Sequence, residues 1–327
     1  MVEQVKQLLP GIWVSVITGL AALFLSQHYG APAMLFALLL GIAMSFLYQT
    51  THCQQGIEFS ATTLLRIGVA LLGFRLAFSD LATLGWSTTG ILLLAIFTTI
   101  GFGVLLSRLL GLSQQFGALT GGAVAICGAS AAMAISAVLP NSENKERDTL
   151  LTVIGVTSLS TIAMVLYPIF ADHLGLDHQQ TSLFIGGTIH DVAQVVGAGY
   201  SVSEQTGDIS TLTKLVRVSF LMPVVFMMLL VVKVRCNEDN EGKAPGFPAF
   251  LIAFVVIMSV NSIIDVPQMV TSLATDISRF ALMVAIAAIG MKSNLAKLTC
   301  VGMKPIVLMI SETVWIALFI LGALYLL

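Results

Sequence analysis

Long apolar runs broken by short polar stretches dominate the chain from end to end. A helix needs roughly 20 mostly apolar residues to cross a bilayer. On that measure about eleven spans are expected, centred near residues 11–28, 33–49, 58–77, 86–109, 117–139, 149–171, 181–201, 212–233, 247–264, 273–292 and 304–326. The pattern predicts an all-α polytopic membrane protein of 10–11 transmembrane helices, forming one integral membrane domain over 1–327. The polar connections "PNSENKERD" (140–148) and "KVRCNEDNEGKAPG" (233–246) read as exposed loops.

Two runs make poor helices. "LTGGAVAICGASAAMAISAVLP" (119–140) holds Gly121, Gly122 and Gly128, and "IGGTIHDVAQVVGAG" (185–199) holds Gly186 and Gly187. Glycine inside a helix costs about 1 kcal/mol against alanine. Small residues also serve close helix packing in membranes. The shared form, a glycine pair followed by small and polar residues, favours broken or re-entrant helices. Irregular backbone at membrane depth needs protein or a water-filled cavity around it. A helix starting after each pair, near 122 and 187, would aim free N–H groups and a positive dipole end at an anion.

There is also an internal echo. "VALLGFRLAFSDLATLG" (69–85) and "IAAIGMKSNLAKLTCVG" (286–302) align Gly73, Arg75 and Leu81 with Gly290, Lys292 and Leu298. The two helices are seven spans apart, with six between them, so they should run in opposite directions, as in the inverted repeats of secondary transporters.

Composition agrees. The chain is 57% hydrophobic and 10% charged, against about a quarter charged in soluble domains. A net charge of −2 argues neither for nor against nucleic acid, and no Lys/Arg-rich block suggests such a partner. Lys and Arg number eight on one side and six on the other, a slight preference for an inside N-terminus. The first run, "GIWVSVITGLAALFLSQ", is long for a signal peptide and reads as a retained span. Cys53, Cys127, Cys236 and Cys300 show neither a C-x-x-C pair nor a zinc spacing and read as thiols. "GMKS" at 290–293 lacks the glycine spacing of a nucleotide-binding loop. No metal or cofactor site is indicated.

Ionisable side chains within apolar spans usually face a bundle interior or an aqueous path. His190, Asp191, Arg66 and Glu312 are such residues. Arg66 also suits a snorkelling or structural role, and Glu312 a hydrogen-bonded packing role. On a continuous helix His190 and Gln194 would be i,i+4 and Asp191 and Gln194 i,i+3, so Gln194 could support either group. Histidine titrates near neutral pH and burial raises an aspartate toward it, so either could carry a coupling proton. Cys127, Ser130, Thr188 and Gln194 would complete a site begun by Gly121, Gly122, Gly128, Gly186 and Gly187. Asn261 is an accessory candidate that interhelical hydrogen bonding would equally explain. Lys214 and Arg217, in "TKLVRV", are expected at a nearby entrance.

"LLRIGVALLGFRLAFSDL", "AICGASAAMA", "GTIHDVAQVVGAG", "TKLVRV" and "ISRFALMVAIAAIGMKSNLAKL" resemble the YeiH-like family of bacterial inner-membrane proteins named as sulfate exporters. The resemblance runs from about residue 10 to the C-terminus. That family commonly has glutamate after the histidine, where this chain has Asp191, an acid of shorter reach. The resemblance implies sulfate as substrate, and a fold like those of sodium/bile-acid symporters and sodium/proton antiporters. Inverted repeats, broken helices crossing at the membrane centre and an elevator-type movement come with that fold.

The function expected is secondary transport of a small anion (sulfate, a sulfonate or an organic acid) coupled to a proton or sodium ion, in the inner membrane, with a homodimer allowed. A channel is one alternative. An intramembrane hydrolase, with Cys127 or Ser130 as nucleophile and His190 as base, is another, although no motif ties nucleophile to base. The chain is not expected to be an enzyme.

Overall fold

The computed structural model describes residues 2–29, 33–49, 51–74, 78–140, 142, 144–236, 249–264, 266–293 and 302–325. These residues form helices and no strand. In order they are α1 (Val2–Tyr29), α2 (Ala33–Ala43), α3 (Thr51–Phe59), α4 (Leu65–Leu71), α5 (Phe78–Leu109), α6 (Gln114–Ala125), α7 (Ala129–Val138), α8 (Lys145–His173), α9 (His178–Thr188), α10 (Val192–Val202), α11 (Glu204–Ser219), α12 (Leu221–Cys236), α13 (Ala249–Ile263), α14 (Gln268–Lys292) and α15 (Met303–Leu324). Of the described helical segments, 7 are long and apolar enough to cross a membrane. Four expected spans are shorter. Residues 33–49 end their α-helix at Ala43 and finish as a 3-10 turn, 117–139 and 181–201 are each split in two, and 247–264 gives α13. Most of the loop 233–246 lies outside the described residues, as do Arg75, Leu298 and Cys300. Residues 145–148 of the other expected loop open α8, with Glu146 and Asp148 in its first turn, where acids suit the positive helix end.

The chain divides into two compact units, each assembled from separate stretches. Unit 1 comprises 1–83, 196–209 and 248–294. Its helices meet where glycine removes the side chain. A Cβ on Gly11 of α1 would overlap the backbone of Cys53, Gly56 and Ile57 on α3, and Gly56 meets α1 in the same way. Gly41 of α2 stands likewise against Ala287 and Gly290 of α14. The echo helices pack on each other. Ser278 Oγ of α14 donates to Gly68 O of α4 at 2.6 Å, and Lys292 Nζ binds Glu58 Oε1 of α3 at 2.6 Å. Chain numbers rise along α3–α4 as they fall along α14, so the two run in opposite directions, as expected.

Unit 2 comprises 84–195, 210–247 and 295–327. Its long helices α5 and α15 continue the two echo segments. The last aligned pair of that echo, Gly85 and Gly302, has φ/ψ of 72°/160° and 88°/154°. Both values fall where L side chains are strained. A shared and unusual backbone shape at aligned positions is structural support for the repeat.

Candidate functional site

Both poor helices are broken, but not at their glycine pairs. α6 runs through Gly121 and Gly122 to Ala125, and α9 runs through Gly186 and Gly187 to Thr188. The expected helix starts near 122 and 187 are therefore corrected to Ala129 and Val192. The glycine pairs serve packing instead. Gly121 lies against the Thr99 and Ile100 backbone of α5, Gly122 against Ile135, Gly186 against Ser210 and Thr213, and Gly187 against Ile320 and Leu92.

The first break is closed by Gly128, at φ 61° and ψ −125°, a conformation that needs glycine. Its N–H donates to Ala123 O at 2.8 Å. The second break needs no glycine. Ile189 turns extended (φ −60°, ψ 138°) and stops α9. The Asp191 N–H then donates to Ser160 Oγ at 3.1 Å, and Asp191 O accepts from Val195 N at 3.1 Å to open α10. Because His190 lies in this break, its expected helical i,i+4 relation to Gln194 does not form. The two breaks face each other, since a Cβ on Gly128 would overlap the Asp191 carboxylate.

A helix leaves its last four carbonyls unpaired and its C-terminus partly negative. Two cations of α11 meet both such ends. Lys214 Nζ donates to Ile126 O at 2.7 Å and to Ile189 O at 2.8 Å. Arg217 donates from Nε to Ile126 O at 3.2 Å, from Nη2 to Val124 O at 2.8 Å, and from Nη1 to Gly186 O and Gly187 O. Both side chains are fully buried, with 0% exposure. The expectation of an entrance is overturned: Lys214 and Arg217 tie the two breaks together from within unit 2. They are also the residues whose role sequence reading missed, because it rests on contacts 25 to 93 residues away.

The opposite, positive ends belong to α7 and α10. Asp191, half-buried, sits against Gly128 just before α7. Ser130, in the first turn of α7, is exposed and bonds Cys127 O at 3.1 Å and Cys127 Sγ at 3.3 Å. Gln194, in the first turn of α10, is buried and its Oε1 has no hydrogen-bond partner. Thr188 is turned away, its hydroxyl donating to Phe184 O within α9. His190 is fully buried, and its Nε2 lies 3.0 Å from Thr313 Oγ1. The Thr313 proton is engaged by Met309 O at 2.7 Å, so the imidazole donates from Nε2. Nδ1 is left without a hydrogen-bond partner. Ser160 and Thr313 are further contributors. Their only sequence signal is a hydroxyl on a long apolar helix, in Thr313 directly after Glu312.

Glu312, buried on α15, is bonded by Thr120 of α6 at 2.8 Å. Arg66 and Asn261 belong to unit 1. Arg66 is exposed. Asn261 lines an open hollow of about 480 Å³ with Phe74, Gln268, Thr271 and Asp276. Among the described residues no three His, Cys, Asp or Glu side chains converge as metal ligands.

Relatives share this chain nearly end to end. A UPF0324 membrane protein of Chlorobaculum tepidum is 51% identical over 96% of this chain and 88% of its own. Another, of Rhizobium meliloti, is 52% identical over 97% and 92%. The UPF0324 membrane protein TauZ of Paracoccus pantotrophus is 49% identical over 99% and 96%. Residues 10–309 match the family model described as Conserved hypothetical protein 698. With its apolar spans and these relatives, the chain is a multi-pass membrane protein that belongs to this UPF0324 family.

Proposed function

We propose that the protein is a secondary transporter of a small anion, bound in unit 2 where the two breaks meet. One observation carries the reading. Lys214 and Arg217 donate to backbone carbonyls at the ends of both half-helices. Two basic side chains are thus held beside two breaks, with the carboxylate of Asp191 against Gly128 between them. Two basic side chains against one acid at the breaks favour a bound anion. In a medium of low dielectric such an excess is strongly attractive to anions. The N-terminal turns of α7 and α10 add unpaired N–H groups, and Ser130 and Gln194 add hydrogen-bonding side chains. A sulfate, a sulfonate or a carboxylate suits this set of donors. The sequence resemblance to proteins named as sulfate exporters points the same way.

A hydrolytic role has less support. Ser130 bonds Cys127 and His190 bonds Thr313, so neither candidate nucleophile has His190 as its hydrogen-bonded base.

The test is equilibrium binding of sulfate, ethanesulfonate and acetate to purified protein, with and without sodium and at several pH values, followed by uptake into proteoliposomes. Saturable binding of at least one of the three is expected. Asp191→Asn removes the negative charge from the site and should preserve or strengthen that binding, because like charges repel strongly there. His190→Ala should weaken it. Failure of all three anions to bind, or unitary currents across a planar bilayer, would overturn the reading.

A further inference from the structure

Apart from the breaks, unit 2 buries among its described residues one more ionisable group that the proposed anion site does not use. Glu312 has 0% exposure. Its carboxyl is slotted where α5 and α6 meet glycine to glycine. A Cβ on Gly103 would overlap both the Glu312 carboxyl and the Gly117 carbonyl, so no larger residue fits at 103 with this packing. Among the described residues no cation forms a salt bridge with Glu312. Its Oε1 lies 2.8 Å from Thr120 Oγ1, and its Oε2 has no hydrogen-bond partner.

Two arrangements of protons are open to this carboxyl. The Thr120 hydroxyl has one proton and three acceptors in reach: Phe116 O at 3.1 Å, Gly117 O at 3.4 Å and Glu312 Oε1 at 2.8 Å. If that proton goes to Glu312, a full negative charge is buried on one hydrogen bond with no cation. An uncompensated buried ion is penalised by several kcal/mol. If Glu312 itself is protonated, it donates to Thr120 and Thr120 donates back along α6 to Phe116 O. The second arrangement gives each hydroxyl proton an acceptor and buries no charge. A separation of 2.8 Å between the oxygens is a direct hydrogen bond, with a proton rather than a metal ion between them.

We infer that Glu312 is a proton-binding site that couples to the proposed anion site. This rests on the transporter reading for its second half only. Two links join the sites. Thr120 lies on α6 less than two turns before the first break at Ile126. Thr313, the next residue on α15, holds His190 of the second break. Release of the proton leaves an ion that the grip of Gly103 and Gly117 does not solvate, so the packing of α5, α6 and α15 changes and both breaks change with it. The form with assembled breaks is the protonated one, and anion binding to that form takes up a proton. Affinity then rises as pH falls, by at most about tenfold per pH unit for one proton. From α5, α6 and α8 the residues at Glu312 and its neighbour Met309 are Gly103, Gly117, Thr120 and Gly155. Among the described residues the titratable and charged groups of the two breaks are His190, which meets Thr313 of α15, with Asp191, Lys214, Arg217 and Cys127 around it.

Infrared spectroscopy of the protein in lipid, with no anion added, tests the first half. A carbonyl band of a protonated carboxyl is expected at neutral pH, absent from Glu312→Gln, retained in Asp191→Asn and insensitive to sodium. An unchanged band in Glu312→Gln, or its removal by sodium, overturns the proton site. If Glu312→Gln does not fold, Thr120→Val should shift the band, and an unshifted band overturns the assignment. Binding of sulfate and ethanesulfonate against pH tests the second half. Glu312→Gln mimics the protonated state, so it should hold the acid-pH affinity across the range. A pH dependence equal to that of the parent protein overturns the coupling. If neither anion binds while the band behaves as expected, the anion reading falls and the proton site stands.

Discussion

In unit 1 helices touch at glycine, Gly11 on Gly56 and Gly41 on Gly290. Among its described residues the most buried acid, Asp208, keeps 9% exposure and is bonded by the Tyr200 hydroxyl at 2.6 Å. Unit 2 has a glycine contact too, Gly103 on Gly117, but it also encloses His190, Lys214, Arg217 and Glu312 at 0% exposure. Backbone-on-backbone packing holds helices at a fixed separation and carries no net charge. Broken helices tied by cations leave unpaired backbone and surplus charge at one place. The difference is the reason for proposing a ligand site in unit 2 and for reading unit 1 as the plainer bundle.

The contrast can be broken most directly at Arg217. Arg217→Met orphans carbonyls of both α6 and α9, and each buried orphan costs about 1–3 kcal/mol. The expected result is a loss of about 4 kcal/mol or more, read as a collapse of the melting temperature in detergent, with partial recovery in Arg217→Lys. A melt matching the parent protein would show that the cations do not hold the breaks.

Gly128→Ala comes next. It strains a positive φ, for about 1–3 kcal/mol, and pushes the Asp191 carboxylate aside. Anion affinity per folded molecule should fall at least about tenfold, the equivalent of about 1.4 kcal/mol. Undiminished binding would remove Gly128 from the site.

The control in unit 1 is Gly41→Ala, which forces α2 away from α14 and should destabilise by about 1–3 kcal/mol as overpacking does. Here anion affinity per folded molecule should stay within about twofold, well under the tenfold of a 1.4 kcal/mol change. A matching loss of affinity would erase the distinction between the units. Smallest of all is Ser130→Ala. The side chain is exposed, so stability should change by less than about 0.5 kcal/mol. Binding should weaken a few-fold through one lost neutral hydrogen bond, about 0.5–1.5 kcal/mol. Isothermal titration distinguishes this from no change.

Hydropathy made the helical class and most spans legible, because a run of apolar residues long enough for a bilayer leaves few other folds. The echo between 69–85 and 286–302 was legible as well, and it surfaces as opposed helices and as the matched backbone of Gly85 and Gly302. The breaks were legible as regions but not as positions. Glycine pairs advertise close packing as loudly as they advertise breaking, and at 121–122 and 186–187 they mean packing. The second break, at Ile189–Asp191, carries no glycine, so composition gives no sign of its place. Lys214 and Arg217 stood out as charges, yet their acceptors are backbone atoms on distant helices. A carbonyl has no letter in a sequence, which is why an entrance was the natural reading for residues that proved to be buried.

The donors of α11 also set an order in time. Every carbonyl that Lys214 and Arg217 bind, from Val124 to Ile189, precedes them in the chain. A cation at the middle of a helix costs about 2.5–3.5 kcal/mol on entering a bilayer alone. When α11 leaves the ribosome, the two half-helix ends that neutralise that expense have already been synthesised. The expected order for the carbonyls bound by α11 therefore follows translation, with α6 and α9 uncapped until α11 is made. A chain split before residue 204 should yield an N-terminal piece with its two breaks formed in sequence only, unable to hold them closed until the remainder is supplied.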